Sequence, residues 1–145
     1  MEIATDNARI SLRNDYSEGA HPRLLQALAV ASAEVNRGYG LDVHSARAAA
    51  LIRDRLGRDA DVHFLAGGTQ TNLVALAAFL RPHEAVIAPA SGHIAMHETG
   101  AIEASSHKVL TVATPDGKLS PALIRPCGDG HHGEHMVKPR LVYIS

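Results

Sequence analysis

The chain has 145 residues, about one domain's worth, with 46% hydrophobic residues, 3% aromatic ones, no Trp and a formal net charge of -1. Lys and Arg are scattered and no aromatic residues are spaced to stack bases, which argues against nucleic acid and leaves a small molecule as the expected partner. Cys127 is the single cysteine, so no internal disulfide is possible, and the start "MEIATDNARI" lacks an apolar signal core.

In chain order, the first twenty residues are polar and read as an irregular arm. "SEGAHPRLLQALAVASAEVNRG" predicts a helix: Pro22 suits a first turn, Leu24, Leu25, Leu28 and Val35 form a stripe, and Gly38 is the expected stop. After the turn "YGLD", "VHSARAAALIRDRLG" predicts a second helix with Asp42 as N-cap and Gly57 as C-terminal stop. "DVHFLA" reads as a strand broken by "GGTQTN", and "LVALAAFL" continues as a helix until Pro82. "EAVIAP" is a second strand, and "SGHIAMHETGAIEASS" is a loop and a short helix. "HKVLTVA" is a third strand and "PDG" a turn. "SPALIRPCG" is a short helix with Ser120 as cap, and "RLVYIS" is a fourth strand.

Strands alternating with helices predict an α/β fold, a mostly parallel sheet covered by helices. Because the sequence stops directly after the apolar "LVYI", with no crossover to cover it, an incomplete sheet and a longer parent protein are expected. The longest apolar runs are far too short to span a bilayer, and a soluble cytoplasmic protein without membrane partners is expected.

"FLAGGTQTNLVAL" is the strongest local signal. A strand runs into Gly67 and Gly68, then Thr69, then a helix whose start offers free backbone N–H groups and a positive dipole end. This is the form of a phosphate cradle, though it lacks the lysine of a nucleotide-triphosphate loop and the spacing of a dinucleotide fold. An ordinary capped turn fits the residues equally. His93 stands just beyond a strand's carboxyl end, where α/β sheets put ligands; His97 and Glu98 are expected to face solvent or cap the short helix. "HHGEH", His131 to His135, matches the zinc pattern H-x-x-E-H. Such a site needs a helix to bring its histidines to one face. Gly128, Gly130, Gly133 and Pro139 oppose one, so no metal is expected and the segment reads as a solvated loop. Arg13, Asn14 and Asp15 form a polar cluster that can bond its own backbone, and Tyr39 lies in a Gly-flanked turn.

Taken together, "LRNDYSEGAHP", "YGLD", "GGTQTNLVAL", "AVIAPASGHIAMHETGAIE", "DGKLSP" and "HMVKPRLVYIS", in this order, resemble the N-terminal part of low-specificity L-threonine aldolases within the beta-eliminating lyase group. The resemblance spans essentially the whole chain. It implies the aspartate-aminotransferase-like fold and the cofactor pyridoxal 5'-phosphate (PLP). Residues 1–20 would be an arm and 21–145 part of the PLP-binding large domain. It implies cleavage of L-threonine or allo-threonine to glycine and an aldehyde, by a homo-oligomer, a dimer or tetramer.

By the same resemblance Gly68 and Thr69 match the phosphate-binding turn. His93 matches the histidine stacked on the pyridine ring, and His135 the one that approaches the substrate's β-hydroxyl, directly or through water. Asn14 stands where many relatives have a serine near the substrate carboxylate. Tyr39 resembles a pocket residue that serves a neighbouring subunit. The Schiff-base lysine, the aspartate at the pyridinium nitrogen and a phosphate-binding arginine belong to the family's sequence beyond the point matched by Ser145. None of Lys108, Lys118 and Lys138 has the matching context. The 145-residue chain is therefore expected to be inactive by itself. A PLP-dependent β-elimination of the tryptophanase kind is the alternative within the family, and a zinc hydrolase on "HHGEH" the alternative outside it.

Overall fold

A computed structural model describes Asn14 and residues 16–145, and the chain divides into two units, Met1–Val62 and His63–Ser145. Arg13, Asp15 and most of the expected arm lie outside the described residues.

The first unit contributes α1 (Pro22–Ala31) and α2 (Val43–Leu56). The start of α1 agrees with its sequence: Pro22 opens it, and the ring of His21 accepts the backbone N–H of Arg23 at 3.2 Å. It ends earlier than the sequence predicts. Ser32 turns its hydroxyl onto the Ala29 carbonyl at 2.8 Å, a local bond that competes with the helical ladder. Val35 therefore lies past the helix instead of on its stripe, and Gly38 is not the stop. Both expected caps of α2 form. The Asp42 carboxylate accepts the N–H of Ser45 at 2.7 Å and its hydroxyl at 2.7 Å, and Gly57 closes the helix in the left-handed conformation at φ 65. The two Ser45 bonds, hydroxyl before backbone, hold the Asp42 carboxyl below its ordinary range.

The second unit is built on a three-stranded parallel sheet in the order β2-β1-β3. Its elements are α3 (Gly68–Phe79), β1 (Glu84–Pro89), α4 (His93–Met96), α5 (Ala101–Ala104), β2 (Lys108–Val112), α6 (Pro121–Asp129) and β3 (Lys138–Val142). Central β1 is buried on both faces, as a covered parallel strand should be. Its alternate side chains sort into two cores. Val86 and Ala88 join Leu76 of α3, Leu80 at its C-cap, Ile94 of α4 and Ile102 of α5. Ala85 and Ile87 join Leu110, with Ile124 and Cys127 of α6 packed against them.

Several expectations need correction. Residues 61–66 form no strand, so the described residues contain three strands, not four. "DVHFLA" has no neighbouring strand to complete its ladder, and Phe64 and Leu65 remain exposed. The segment after β1 makes two four-residue helices where one was expected. Ser120 occupies the N-cap of α6 without a side-chain bond. Strand β3 begins at Lys138, before the expected Arg140, and is bulged against Ala85 and Val86.

Candidate active site

The carboxyl edge of the sheet is assembled from the second unit alone. At the start of α3, Gly67 is the N-cap in extended backbone and makes no side-chain cap bond. Thr69 is thus the second helical residue, not the cap. The first intrahelical bond runs from the N–H of Thr71 to the Gly67 carbonyl at 2.9 Å. Among the described residues, the N–H groups of Gly68, Thr69 and Gln70 are left without acceptors, as the first turn of a helix requires. The Gln70 side chain reaches back to accept the Ala66 N–H at 2.8 Å, in the manner of a capping box. A Cβ on Gly67 or Gly68 would meet nothing within 4 Å, so the space before these donors is open. A helix start of this kind can receive an anion.

His93 opens α4 directly after the carboxyl end of β1. Its Nδ1 lies 2.7 Å from Glu98 Oε1; the His93 side chain is 51% exposed and that of Glu98 0%. The same Oε1 accepts Asn72 Nδ2 at 2.6 Å, and that amide also reaches the Tyr143 hydroxyl at 3.3 Å. Ser145 Oγ accepts the His93 backbone N–H at 3.4 Å. Residues of α3 and α4 therefore converge on one carboxylate, and Tyr143 and Ser145 after β3 join the network through Asn72 and His93. The turn that follows Glu98 is strained at Thr99, a β-branched residue held left-handed at φ 55, before Gly100, which takes φ 73 freely. Glu98 Oε2 is buried without a hydrogen-bond partner among the described residues.

This corrects the expectation that Glu98 faces solvent or caps a helix. Glu98, Asn72 and Tyr143 are the members of the site that sequence reading missed. The only signal was position, since Asn72 lies one turn after Thr69 and Glu98 closes the segment that His93 opens.

The structure brings together the start of α3 and His93, through Asn72 and Glu98. It does not bring His135 into that network. His135 lies in the turn before β3, exposed, and its ring makes no hydrogen bond among the described residues. The ring does occupy the space beside Gly133, where a Cβ would come within 2.6 Å of Cε1 and 2.9 Å of Nδ1.

Residues 131–137 are turn and coil, so the helical face a zinc pair needs is not formed. His131 instead bonds the Cys127 carbonyl near the end of α6 at 2.7 Å. Among the described residues no three His, Cys, Asp or Glu side chains gather as a metal site. A cleft of about 590 Å³ opens at the opposite, amino edge, lined by Arg81, His83, Glu84, Lys138 and Arg140 among others, and contains no member of the network.

In the first unit, Asn14 Oδ1 accepts the N–H groups of Tyr16 at 3.1 Å and Ser17 at 2.8 Å, the backbone-bonding arrangement open to this cluster from the start. Tyr39 is fully exposed and left-handed at φ 64, uncommon for a bulky residue.

The sequence pattern of the beta-eliminating lyases matches residues 12–145. The low specificity L-threonine aldolase of Pseudomonas aeruginosa is 35% identical over 143 residues, covering 97% of this chain and 41% of that protein. Its namesake from another Pseudomonas strain is 34% identical over the same shares. The chain thus spans about two fifths of the length of these curated relatives. The solved structure of Leishmania major threonine aldolase superposes with a TM-score of 0.86 at 56% identity, covering 90% of this chain and 39% of that one. An α/β unit with an open helix start and a gripped histidine at its carboxyl edge, matched along nearly its whole sequence, belongs to the beta-eliminating lyase family.

Proposed function

We propose that this chain supplies cofactor-facing and substrate-facing residues of a PLP-dependent lyase that cleaves L-threonine and allo-threonine to glycine and an aldehyde, within a protein of its relatives' length. The observation that carries the reading is the His93 imidazole, half exposed and held by the buried Glu98, whose carboxylate is also bonded by Asn72, one turn past the open start of α3. The relatives compared above, all threonine aldolases, support the choice of reaction.

The residues present fit PLP. A phosphate suits the free N–H groups of Gly68 and Thr69, with the Thr69 hydroxyl as a further donor. An aromatic ring suits the exposed face of His93. PLP, when bound, supplies an electron sink for the charge that develops at Cα as the Cα–Cβ bond breaks. His135, exposed and unbonded, is the residue we assign to take the β-hydroxyl proton, directly or through a water, as a neutral imidazole does near pH 7. Asn14, whose oxygen shapes the turn, is assigned to the substrate carboxylate through its amide N–H groups. Tyr39, held in a strained and exposed conformation, is assigned to the pocket of a neighbouring subunit in a homo-oligomer.

Lys108 and Lys138 begin strands at the amino edge and Lys118 pairs with Asp116 at 3.4 Å. The lysine that carries PLP is therefore assigned to the remainder of the longer protein. In this reading residues 1–20 are an arm and 21–145 part of the large domain, in a cytoplasmic enzyme. No helix among the described residues is long and apolar enough to cross a membrane.

The test is an assay of the family-length protein carrying this chain with threonine, allo-threonine and tryptophan. Glycine and an aldehyde are expected. Pyruvate in their place would establish β-elimination and overturn the aldolase reading. Changing His135 to Ala should lower turnover by about 10²- to 10⁴-fold, the usual share of a general base, with PLP retained. Loss of PLP at unchanged residual turnover would contradict its role.

A further inference from the structure

We propose that Glu98 is a positioning residue, which with Asn72 as its brace fixes the His93 imidazole in one orientation and as its Nδ1–H tautomer. The proposal deepens the reading of His93 as the ring platform and rests on it.

For an ionised Glu98 carboxylate the hydrogen-bond logic leaves one assignment. Asn72 Nδ2 is a donor only, and it lies 2.6 Å from Glu98 Oε1. With the carboxyl ionised, Oε1 only accepts. His93 Nδ1, 2.7 Å from the same oxygen, must then be the donor. With the proton fixed at Nδ1, the neutral ring presents Nε2 as an acceptor, since the bond made by one ring nitrogen sets the state of the other.

A role confined to stability explains the arrangement poorly. A fully buried carboxyl with one unpartnered oxygen is a costly way to fill space, and well-packed apolar residues usually serve a core at least as well. The strained Thr99 directly after it adds to that cost. What the cost secures is geometry. Asn72 stands on the same helix as Thr69, one turn later, so a single oxygen links the anion-receiving start of α3 to the imidazole on α4. The Asn72 amide extends the link to Tyr143 after β3.

The tautomer can be read without cofactor. In the family-length protein labelled with ¹⁵N-histidine, long-range ¹H–¹⁵N correlation should show His93 protonated at Nδ1. Glu98→Gln keeps an acceptor in place and should preserve this state. Glu98→Ala should release it to a mixture of tautomers. In the loaded enzyme, Glu98→Ala should weaken PLP affinity by about tenfold, by analogy with a metal-ligating histidine that loses its supporting partner. Glu98→Gln should stay within about twofold of the parent on that scale, and the change should appear in the cofactor's circular dichroism.

A parent His93 protonated at Nε2 overturns the proposal even if Glu98→Ala fails to fold. So does a folded Glu98→Ala that keeps both tautomer and affinity, or a Glu98→Gln that behaves as Glu98→Ala. Failure of the parent to take up PLP would count against the functional reading, while the cofactor-free tautomer still decides what Glu98 does.

Discussion

Gly92 is the joint between β1 and the helix that carries His93, and replacing it with Ala tests how rigidly the sheet aims that ring. Its φ of -63 and ψ of 146 suit any residue, so Ala meets no backbone penalty there. The obstacle is space: an added Cβ would stand 3.0 Å from the Pro89 carbonyl oxygen and 3.3 Å from both Cδ and Cγ of the Pro89 ring. Pro89 cannot retreat easily, since it ends β1 in register with Val112 of β2. Gly92 cannot move freely either. Its N–H bonds the Pro89 carbonyl at 2.8 Å, and its own carbonyl accepts Ala95 and Met96 of α4 at 2.9 and 3.1 Å. Overpacking of this kind costs about 1–3 kcal/mol. The reduced freedom of the unfolded chain returns about 0.4–1 kcal/mol. A net loss of about 1–2 kcal/mol follows. With urea slopes of roughly 1–3 kcal/mol/M, the unfolding midpoint should fall by about 0.5–1 M at unchanged slope. The His93 ring signals should shift with it, because the ring nitrogen sits only 2.7 Å from Glu98. An unchanged or raised midpoint would refute the reasoning and show that the entry to α4 yields without strain.

Gly57 separates conformation from crowding: a Cβ there meets nothing within 4 Å, yet φ is 65. Gly57→Ala should therefore cost about 1–2 kcal/mol in urea unfolding, and Gly57→Asn clearly less, since Asn tolerates the left-handed region. The Asp42 carboxyl is held low by Ser45, so its folded pKa lies below its unfolded value of about 3.9. Its contribution is complete above that value and is lost as pH falls through the lower folded one. Thermal midpoints should accordingly drop more steeply below about pH 4 in the parent than in Asp42→Asn; equal slopes would remove Asp42 from the acid transition. Gly133→Ala should displace the His135 ring, whose atoms come within 2.6 Å of the new Cβ. Its effect on turnover should follow that of His135→Ala, with PLP affinity unchanged, as read by titration of the cofactor's absorbance.

What could be read from sequence was what short segments decide. The Asp42 cap and the Gly57 stop are fixed within a few residues of the helix they bound, and both formed. "EAVIAP" is apolar throughout because β1 is covered on both faces. "DVHFLA" has the same local look and is no strand, because pairing depends on a neighbour that composition does not encode. Glu98 was misjudged for a related reason. Its burial depends on Asn72, 26 residues earlier, and on a histidine whose ring must arrive from the start of α4. The address of the site, past the carboxyl end of β1, follows from topology; the grip upon His93 does not.

The histidines make the point sharper. His21 and His131 use a ring nitrogen on backbone at helix ends, so a sequence rich in histidine, even one containing H-x-x-E-H, need not hold metal. His44 and His93 each meet a glutamate at 2.7 Å, and their side chains are almost equally exposed, 53% and 51%. Their partners differ: the Glu34 side chain is 43% exposed and that of Glu98 is 0%. Water competes for the first pair and screens it, so that contact contributes little. For the second, losing the ring would leave a buried acceptor with one partner fewer, in surroundings where an unmet polar group is expensive. Equal distances therefore describe a loose surface contact in one case and a fixed orientation in the other. The burial of the carboxylate, not the presence or spacing of the histidine, marks His93 as the ring that this fold takes care to aim.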